Sequence, residues 1–154
     1  MVSTVIEFAS MLFAALLAGS MFCVTLVLNP EGLDATTYIT LQQQAIRTLN
    51  RSLPGLGGAT ILATMAAAAL GREDRARLTL FIAALVSFLA AGWITRFLNQ
   101  PINAIVMTWN RDAPPANWTI LRDEWWRWHL LRFLAGMVGL VLVFAAALKG
   151  GSAG

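Results

Sequence analysis

Charged residues are scarce in this chain: they make up 12% of its 154 residues, whereas hydrophobic residues make up 58%. A soluble domain carries about 25% charged residues. This composition excludes an ordinary water-soluble fold and is typical of an integral membrane protein. The 11 basic residues are scattered singly between apolar segments. A nucleic-acid partner is therefore excluded, and the net charge of +3 suits lipid headgroups and membrane topology instead.

Cysteine and histidine occur once each, at Cys23 and His129. A single cysteine cannot form an internal disulfide, and Cys23 lies within an apolar run, where a small core residue is expected. A zinc or copper site built by the protein is excluded too, because neither a second His nor a carboxylate pair at ligand spacing accompanies His129. The sequence also lacks a Gly-rich phosphate loop and a nucleophile elbow.

Long apolar runs are what the sequence does contain, and about 20 apolar residues suffice to cross a bilayer. Four runs predict membrane spans over residues 8–28, 55–70, 78–98 and 129–148. A signal peptide is rejected for the first run, because no basic segment precedes it and no Ala-x-Ala site follows it. The predicted fold is an all-α bundle of four transmembrane helices, with a single membrane domain over residues 1–149 and a flexible tail over residues 150–154.

The polar segment between the first two spans predicts a short amphipathic helix. Asp34 can cap a helix that begins near Ala35, and apolar residues then recur at helical spacing up to Pro54, which would start the second span. This helix would lie on the membrane surface or over the mouth of the bundle, and a solvated connector is the alternative. Near the end of the third span, Pro101 predicts a kink or a stop.

Four spans place both termini and the arginine-rich connector, residues 72–77, on one side of the membrane. This side carries four basic residues and the other carries seven, but the compact connector is the clearest positive-inside signal. We therefore expect the termini in the cytoplasm and the protein in the inner (plasma) membrane of a bacterium. Its expected partners are the lipid bilayer and a small lipophilic aromatic molecule, and association with further copies of the chain is left open.

The segment 122–132, at the start of the fourth span, is the strongest candidate for a functional site. Read as a helix, it places Trp125, His129 and Arg132 on one aromatic and cationic face. Ionisable groups at membrane depth are costly and mark a functional site by default. The alternatives are an interfacial belt for Trp125 and snorkelling to the headgroups for Arg132.

A second polar face lies at the end of the third span, where Arg96, Asn99 and Asn103 follow one another at i, i+3 and i+7. Four spans bring this face to the same mouth of the bundle as the segment 122–132. These three residues are candidates for binding a substrate, and snorkelling to the headgroups is the alternative for Arg96. Two further candidates for substrate binding fall at this mouth: Asn29 and Asn50.

The single imidazole, His129, admits three roles. A lone His is most often a hydrogen-bonded structural residue. The positive charge of Arg132, one turn away, favours the neutral ring, which could act as a general base. An axial haem ligand is the third role, and it would make His129 the metal-binding residue.

Two motifs resemble those of a known family. Asn99-Gln-Pro-Ile-Asn103, followed after a loop by Trp125-Trp-Arg-Trp-His129 and then Arg132, resembles the anthrone-oxygenase-like family of small four-span membrane proteins, many of unknown function. These motifs occupy residues 96–132, whereas the four-span layout extends over most of the chain.

The resemblance implies oxidation of an anthrone-like, phenolic substrate to a quinone, with no redox cofactor required. On that basis the catalytic residues would be His129 as base with Arg132 and Arg96 as anion clamps, and Trp125 would stack on the substrate. Asn29 takes a position where many relatives carry a His or another polar residue, so this chain departs from a two-His ligand set. The alternatives are a non-enzymatic membrane carrier or structural subunit, and a haem-binding redox protein that uses His129.

Overall fold

The structure is a computed structural model that describes residues 2–151. Its helices are α1 (Val2–Val27), α2 (Ala35–Leu70), α3 (Arg75–Ile94), α4 (Gln100–Val106) and α5 (Trp118–Gly151), and a π-helical turn (Thr95–Asn99) joins α3 to α4. Four helical segments are long and apolar enough to cross a membrane, with α3, the π-helical turn and α4 counted as one. The predicted all-α bundle of four transmembrane helices is confirmed.

The predicted amphipathic helix is not a separate element, because it forms one continuous 36-residue helix, α2, with the second span. Asp34 caps this helix as expected, and its side chain accepts a hydrogen bond from the Thr37 backbone N–H at 2.9 Å. Pro54 lies inside α2 rather than at its start. The helix continues through Pro54, although the ring removes one backbone hydrogen bond, because the residues on both sides of it pack into the bundle.

The third span continues past Pro101, where a kink or a stop was predicted. The five residues before Gln100 form a π-helical turn, in which the Gln100 N–H donates to the Thr95 carbonyl. A proline lacks an N–H and collides with the carbonyl four residues before it. The wider turn relieves this conflict, so the helix runs on to Val106. Such turns are frequent at functional sites, and this one carries Arg96 and Asn99.

The fourth predicted span, residues 129–148, lies within α5, which begins at Trp118 and reaches Gly151. Gly150 and Gly151, the first two residues of the predicted flexible tail, are therefore helical, and residues 152–154 lie outside the described residues. Glycines let α5 approach its neighbours closely. A Cβ at Gly139 would lie 2.5 Å from Phe88 Cε1 of α3, and a Cβ at Gly136 would lie 2.9 Å from Met21 Sδ of α1.

An ion pair ties three helices together at the end of the bundle near the connector. Arg77 Nη2 lies 2.8 Å from Glu7 Oε1, and Arg77 Nε donates to the Ala146 carbonyl at 3.2 Å. The Arg77 and Glu7 side chains are 14% and 15% exposed. Ser3 Oγ also donates to Glu7 Oε1, at 2.7 Å. Because both charges are mostly buried, loss of either partner leaves the other uncompensated.

We predict that Glu7→Ala lowers the free energy of unfolding by about 3 kcal/mol, because it strands the Arg77 charge. The double variant Glu7→Ala/Arg77→Leu should lose less than Glu7→Ala alone. Denaturant unfolding in detergent micelles measures both. Glu73→Ala is the matched control, because Glu73 pairs with Arg72 at 3.7 Å on an exposed surface and should not affect unfolding. Equal losses in Glu7→Ala and Glu73→Ala would contradict the prediction.

Candidate functional site

A cavity of about 440 Å³ lies inside the half of the bundle that faces the loops over residues 28–34 and 107–117. All four spans contribute to its wall, which is mostly apolar. Its floor includes Met21 and Phe88. These two side chains pack closely against Gly136 and Gly139 of α5. The polar side chains on its wall are Gln42, Asn50, Thr95, Arg96, Gln100, Asn103, Trp125 and Arg132.

The cavity opens sideways, between α2 and α3. The residues that line it and are also exposed belong to α2 and to the segment from α3 into the π-helical turn: Asn50, Pro54, Gly58, Gly92 and Arg96. Gly58 and Gly92 border open space, since a Cβ at either would meet nothing within 4 Å. Both glycines lie within predicted membrane spans. The opening therefore lies at the level of these spans, and an amide pair bridges it, in which Gln100 Nε2 donates to Asn50 Oδ1 at 2.9 Å.

Arg132 brings a positive charge to the cavity wall although it is only 8% exposed. Its Nε donates to His129 Nδ1 at 3.1 Å, and its Nη1 lies 3.5 Å from Thr95 Oγ1. The guanidinium carbon is 5.9 Å from the centre of the Trp125 ring. Within residues 2–151, no carboxylate forms an ion pair with Arg132. The buried guanidinium is thus held by neutral groups, without a counter-ion among the described residues.

His129 lies behind Arg132, fully buried and away from the cavity wall. Its Nδ1 accepts the hydrogen bond from Arg132, so Nδ1 carries no proton. The proton therefore sits on Nε2, which lies 3.0 Å from Thr25 Oγ1, and this hydroxyl donates in turn to the Met21 carbonyl at 3.0 Å. Both ring nitrogens are engaged. This geometry fits a residue that orients Arg132 better than it fits the predicted general base or an axial haem ligand.

Trp125 joins α5 to the third span and presents its ring to the cavity. Its Nε1 donates to Asn103 Oδ1 at 2.8 Å, and its backbone carbonyl accepts from Asn99 Nδ2 at 3.1 Å. Its ring stacks on His129, with the centroids 5.2 Å apart and the planes within 6°. The Nδ2 group of Asn103, which also lines the cavity, donates no hydrogen bond within the described residues and can serve a ligand.

The structure therefore brings together most of the side chains that the sequence predicted for a site. The predicted residues on the cavity wall are Arg132, Arg96, Trp125, Asn103 and Asn50. His129 and Asn99 are buried directly behind this wall. Asn29 falls outside the site, because α1 ends at Val27 and the exposed Asn29 side chain accepts from the Glu31 N–H at 3.2 Å.

Three polar residues on the cavity wall are absent from the predicted site, namely Thr95, Gln100 and Gln42, and Gln42 is the most buried of them. It is fully buried, and neither Oε1 nor Nε2 of its side chain has a hydrogen-bond partner within the described part of the chain. A signal for it exists in the sequence. Gln42 lies four residues after Tyr38 and four before Ile46, so it is a polar residue on the apolar face of an amphipathic helix.

The described residues offer no cluster of three or more His, Cys, Asp or Glu side chains that could hold a metal ion. The only oxygen and nitrogen groups that converge on the cavity are amides, a hydroxyl, an indole and two guanidinium groups. This arrangement can bind a flat apolar molecule that carries a negative charge. It donates hydrogen bonds to that charge, stacks on the rings, and keeps the reacting centre away from bulk water.

Comparison with known proteins agrees with these features. The family model described as anthrone oxygenase matches residues 43–142, about two thirds of the chain. The matched segment includes nearly all of α2, the whole third span and the part of α5 that carries the site. No curated protein and no solved structure matches the chain. The family match suggests an oxygenase-like function, and its extent is sufficient to assign the chain: this protein belongs to the anthrone oxygenase family.

Proposed function

We propose that this protein is a membrane-embedded oxygenase that binds a lipophilic, anthrone-like phenolic substrate as its anion beside Arg132. The observation that carries the proposal is the buried Arg132 guanidinium on the cavity wall, without a carboxylate partner among residues 2–151. Burying an ion costs several kcal/mol unless an opposite charge compensates it. An anionic oxygen of the substrate would supply that charge.

The rest of the cavity favours a flat, lipid-soluble molecule. Its volume of about 440 Å³ falls within the range of small-molecule sites, roughly 300–1,000 Å³. The wall is mostly apolar, and the Trp125 ring offers a face for stacking. The opening between α2 and α3 lies within the membrane spans, so the substrate would enter from the bilayer. The inner membrane of a bacterium, with the termini in the cytoplasm, is the proposed setting.

The proposed reaction converts one anthrone and one O₂ into one anthraquinone and one water. The anthrone CH₂ group loses both hydrogens and gains one oxygen atom, and the second oxygen atom leaves in water. The first proton leaves to the aqueous medium and a delocalised enolate remains, which is electron-rich enough to transfer an electron to O₂. The peroxide that forms at this carbon takes a proton back and splits into the quinone and water. Arg132 would stabilise the enolate oxygen, with Asn103 and Arg96 as further donors. Charge stabilisation of this kind is strongest in a cavity that excludes water.

His129 contributes to this mechanism through Arg132. It holds the guanidinium Nε at 3.1 Å and is itself held by Thr25 at 3.0 Å. A fixed guanidinium does not have to reorganise when the enolate forms, and such preorganisation is the main source of electrostatic catalysis. Haem ligation by His129 would require one ring nitrogen to give up its hydrogen bond, so these residues do not fit a haem.

The test of the proposal is oxygen consumption by the purified protein in lipid nanodiscs with 1,8-dihydroxyanthrone, corrected for spontaneous oxidation. We expect Arg132→Gln to lower kcat/KM by about 100-fold or more, because it removes the charge that stabilises the enolate. Arg127→Gln is the matched control on the same helix, since Arg127 is exposed and lies over the Trp128 ring. It should keep the wild-type rate. Quinone binding without protein-dependent oxygen consumption would contradict the proposal and indicate a carrier.

A second prediction separates a positioning role of His129 from a role as base. In His129→Gln, the new amide can still accept from Arg132 and donate to Thr25, but it cannot take up a proton. We expect kcat/KM within about tenfold of wild type and an unchanged pH profile. His129→Leu, which holds neither partner, should lose about 100-fold.

Two results would contradict the positioning role. Equal losses in His129→Gln and His129→Leu, with the acid limb of the pH profile removed, would make His129 the base. A Soret band in the wild-type protein that disappears in His129→Gln would make it a haem ligand.

A further inference from the structure

We infer that Gln42 binds a hydroxyl or carbonyl substituent on the end of the substrate farthest from Arg132, and that it thereby determines which substituted aromatic molecules the cavity accepts. This inference rests on the proposed function, because it takes Arg132 as the place of the substrate's anionic oxygen. It adds a second polar contact, made by a residue outside the motifs of segment 96–132.

The primary observation is a buried amide without a partner, on a residue that lines the cavity. Gln42 has 0% exposure and lines the cavity, and neither its Oε1 nor its Nε2 is hydrogen-bonded by any residue of the described range 2–151. Buried polar side chains are hydrogen-bonded in the large majority of cases, because an unpaired one keeps the full cost of its desolvation. A ligand in the cavity is the group that can meet both amide atoms.

The neighbouring amides show what Gln42 lacks. Gln43 Nε2 donates to the Val106 and Trp109 carbonyls, at 2.9 Å each, and so fastens α2 to the end of α4. Asn50 forms its pair with Gln100 across the opening. Both of these amides have structural partners. Gln42 does not, although it is the most buried of the three.

The position of Gln42 sets the shape of the ligand. The neighbouring Gln43 bonds to the Val106 carbonyl at the end of the third span, whereas Arg132 contacts Thr95 at the start of the π-helical turn. Thr95 and Val106 are separated by about three helical turns, roughly 16 Å along the third span. The Trp125 ring, bonded to Asn103, lies between these levels. A ligand that meets both Arg132 and Gln42 is therefore elongated, with one polar atom near each end.

An amide that both donates and accepts suits a hydroxyl group, which does the same. A site built to hydrogen-bond a hydroxyl rejects the analogue that lacks it, because its own polar atoms are then left unpaired. The cavity should therefore discriminate between two molecules of equal size that differ only in this hydroxyl. Neutral probes are needed, so that the charge of Arg132 does not decide the result.

The probes are 2-(hydroxymethyl)anthraquinone and 2-ethylanthraquinone, which differ by a hydroxyl in place of a methyl group at one end of the rings. Their Kd values follow from quenching of tryptophan fluorescence in nanodiscs. We expect the wild-type protein to bind the hydroxymethyl probe at least tenfold more tightly than the ethyl probe. Gln42→Leu should abolish this preference and bind the ethyl probe more tightly than wild type does. Gln42→Met, which also lacks the amide and keeps the length of the side chain, should behave in the same way.

Gln43→Leu is the matched control, with the same substitution one residue away. It removes two structural hydrogen bonds, so it should lower the unfolding temperature but keep the wild-type preference. The ligand-free Gln42 variants should unfold at or above the wild-type temperature, because they remove an unpaired buried amide.

The inference is overturned if wild type shows no preference or binds neither probe. It is also overturned if the preference survives in both Gln42 variants, or if both unfold at a lower temperature than Gln43→Leu. These measurements need neither O₂ nor turnover. A protein that shows the preference but never consumes oxygen would refute the oxygenase proposal and leave the role of Gln42 intact.

Discussion

The hydrogen bond from Arg132 Nε to His129 Nδ1 is the interaction on which the arrangement of the site depends. A guanidinium cannot shed its proton in a protein, so its charge has to be accommodated inside the membrane. The contacts run from the Met21 carbonyl through Thr25 and His129 to Arg132 and then to Thr95. They connect α1, α5 and the π-helical turn. The same contacts that stabilise a costly charge thus fix its position on the cavity wall.

Much of this site could be predicted from the sequence, because helical spacing and span count are enough to bring residues to one mouth of a bundle. Trp125 and Arg132 share a face at i and i+7, and Asn103 lies at the matching depth of the third span. The capping role of Asp34 followed from residue type alone. These predictions depend on one helix at a time, or on which side of the membrane a helix ends.

Other features depend on the contacts between neighbouring helices, and the hydrophobic periodicity of a single helix does not predict those contacts. From the sequence, Pro54 predicts a helix start and Pro101 predicts a kink or a stop. In the structure, packing allows α2 to continue through Pro54, and a π-helical turn accommodates Pro101. The spacing that aligned His129 with Arg132 gave no indication that both imidazole nitrogens are used by the protein. The predicted site does not include Gln42. A polar residue on the apolar face of a helix usually has a hydrogen-bond partner in the folded protein, and only the structure shows that Gln42 has none among residues 2–151.

The sideways opening between α2 and α3 has a consequence for how the protein meets its ligands. Gly58 and Gly92 border this opening within the apolar spans, so on the proposed function a ligand would reach the cavity from the hydrocarbon phase. The relevant concentration is then the mole fraction of a compound in the bilayer, which its partition coefficient sets. A sparingly soluble polycyclic molecule becomes concentrated there by partitioning alone. Saturation curves should accordingly scale with the amount of lipid present rather than with the volume of buffer.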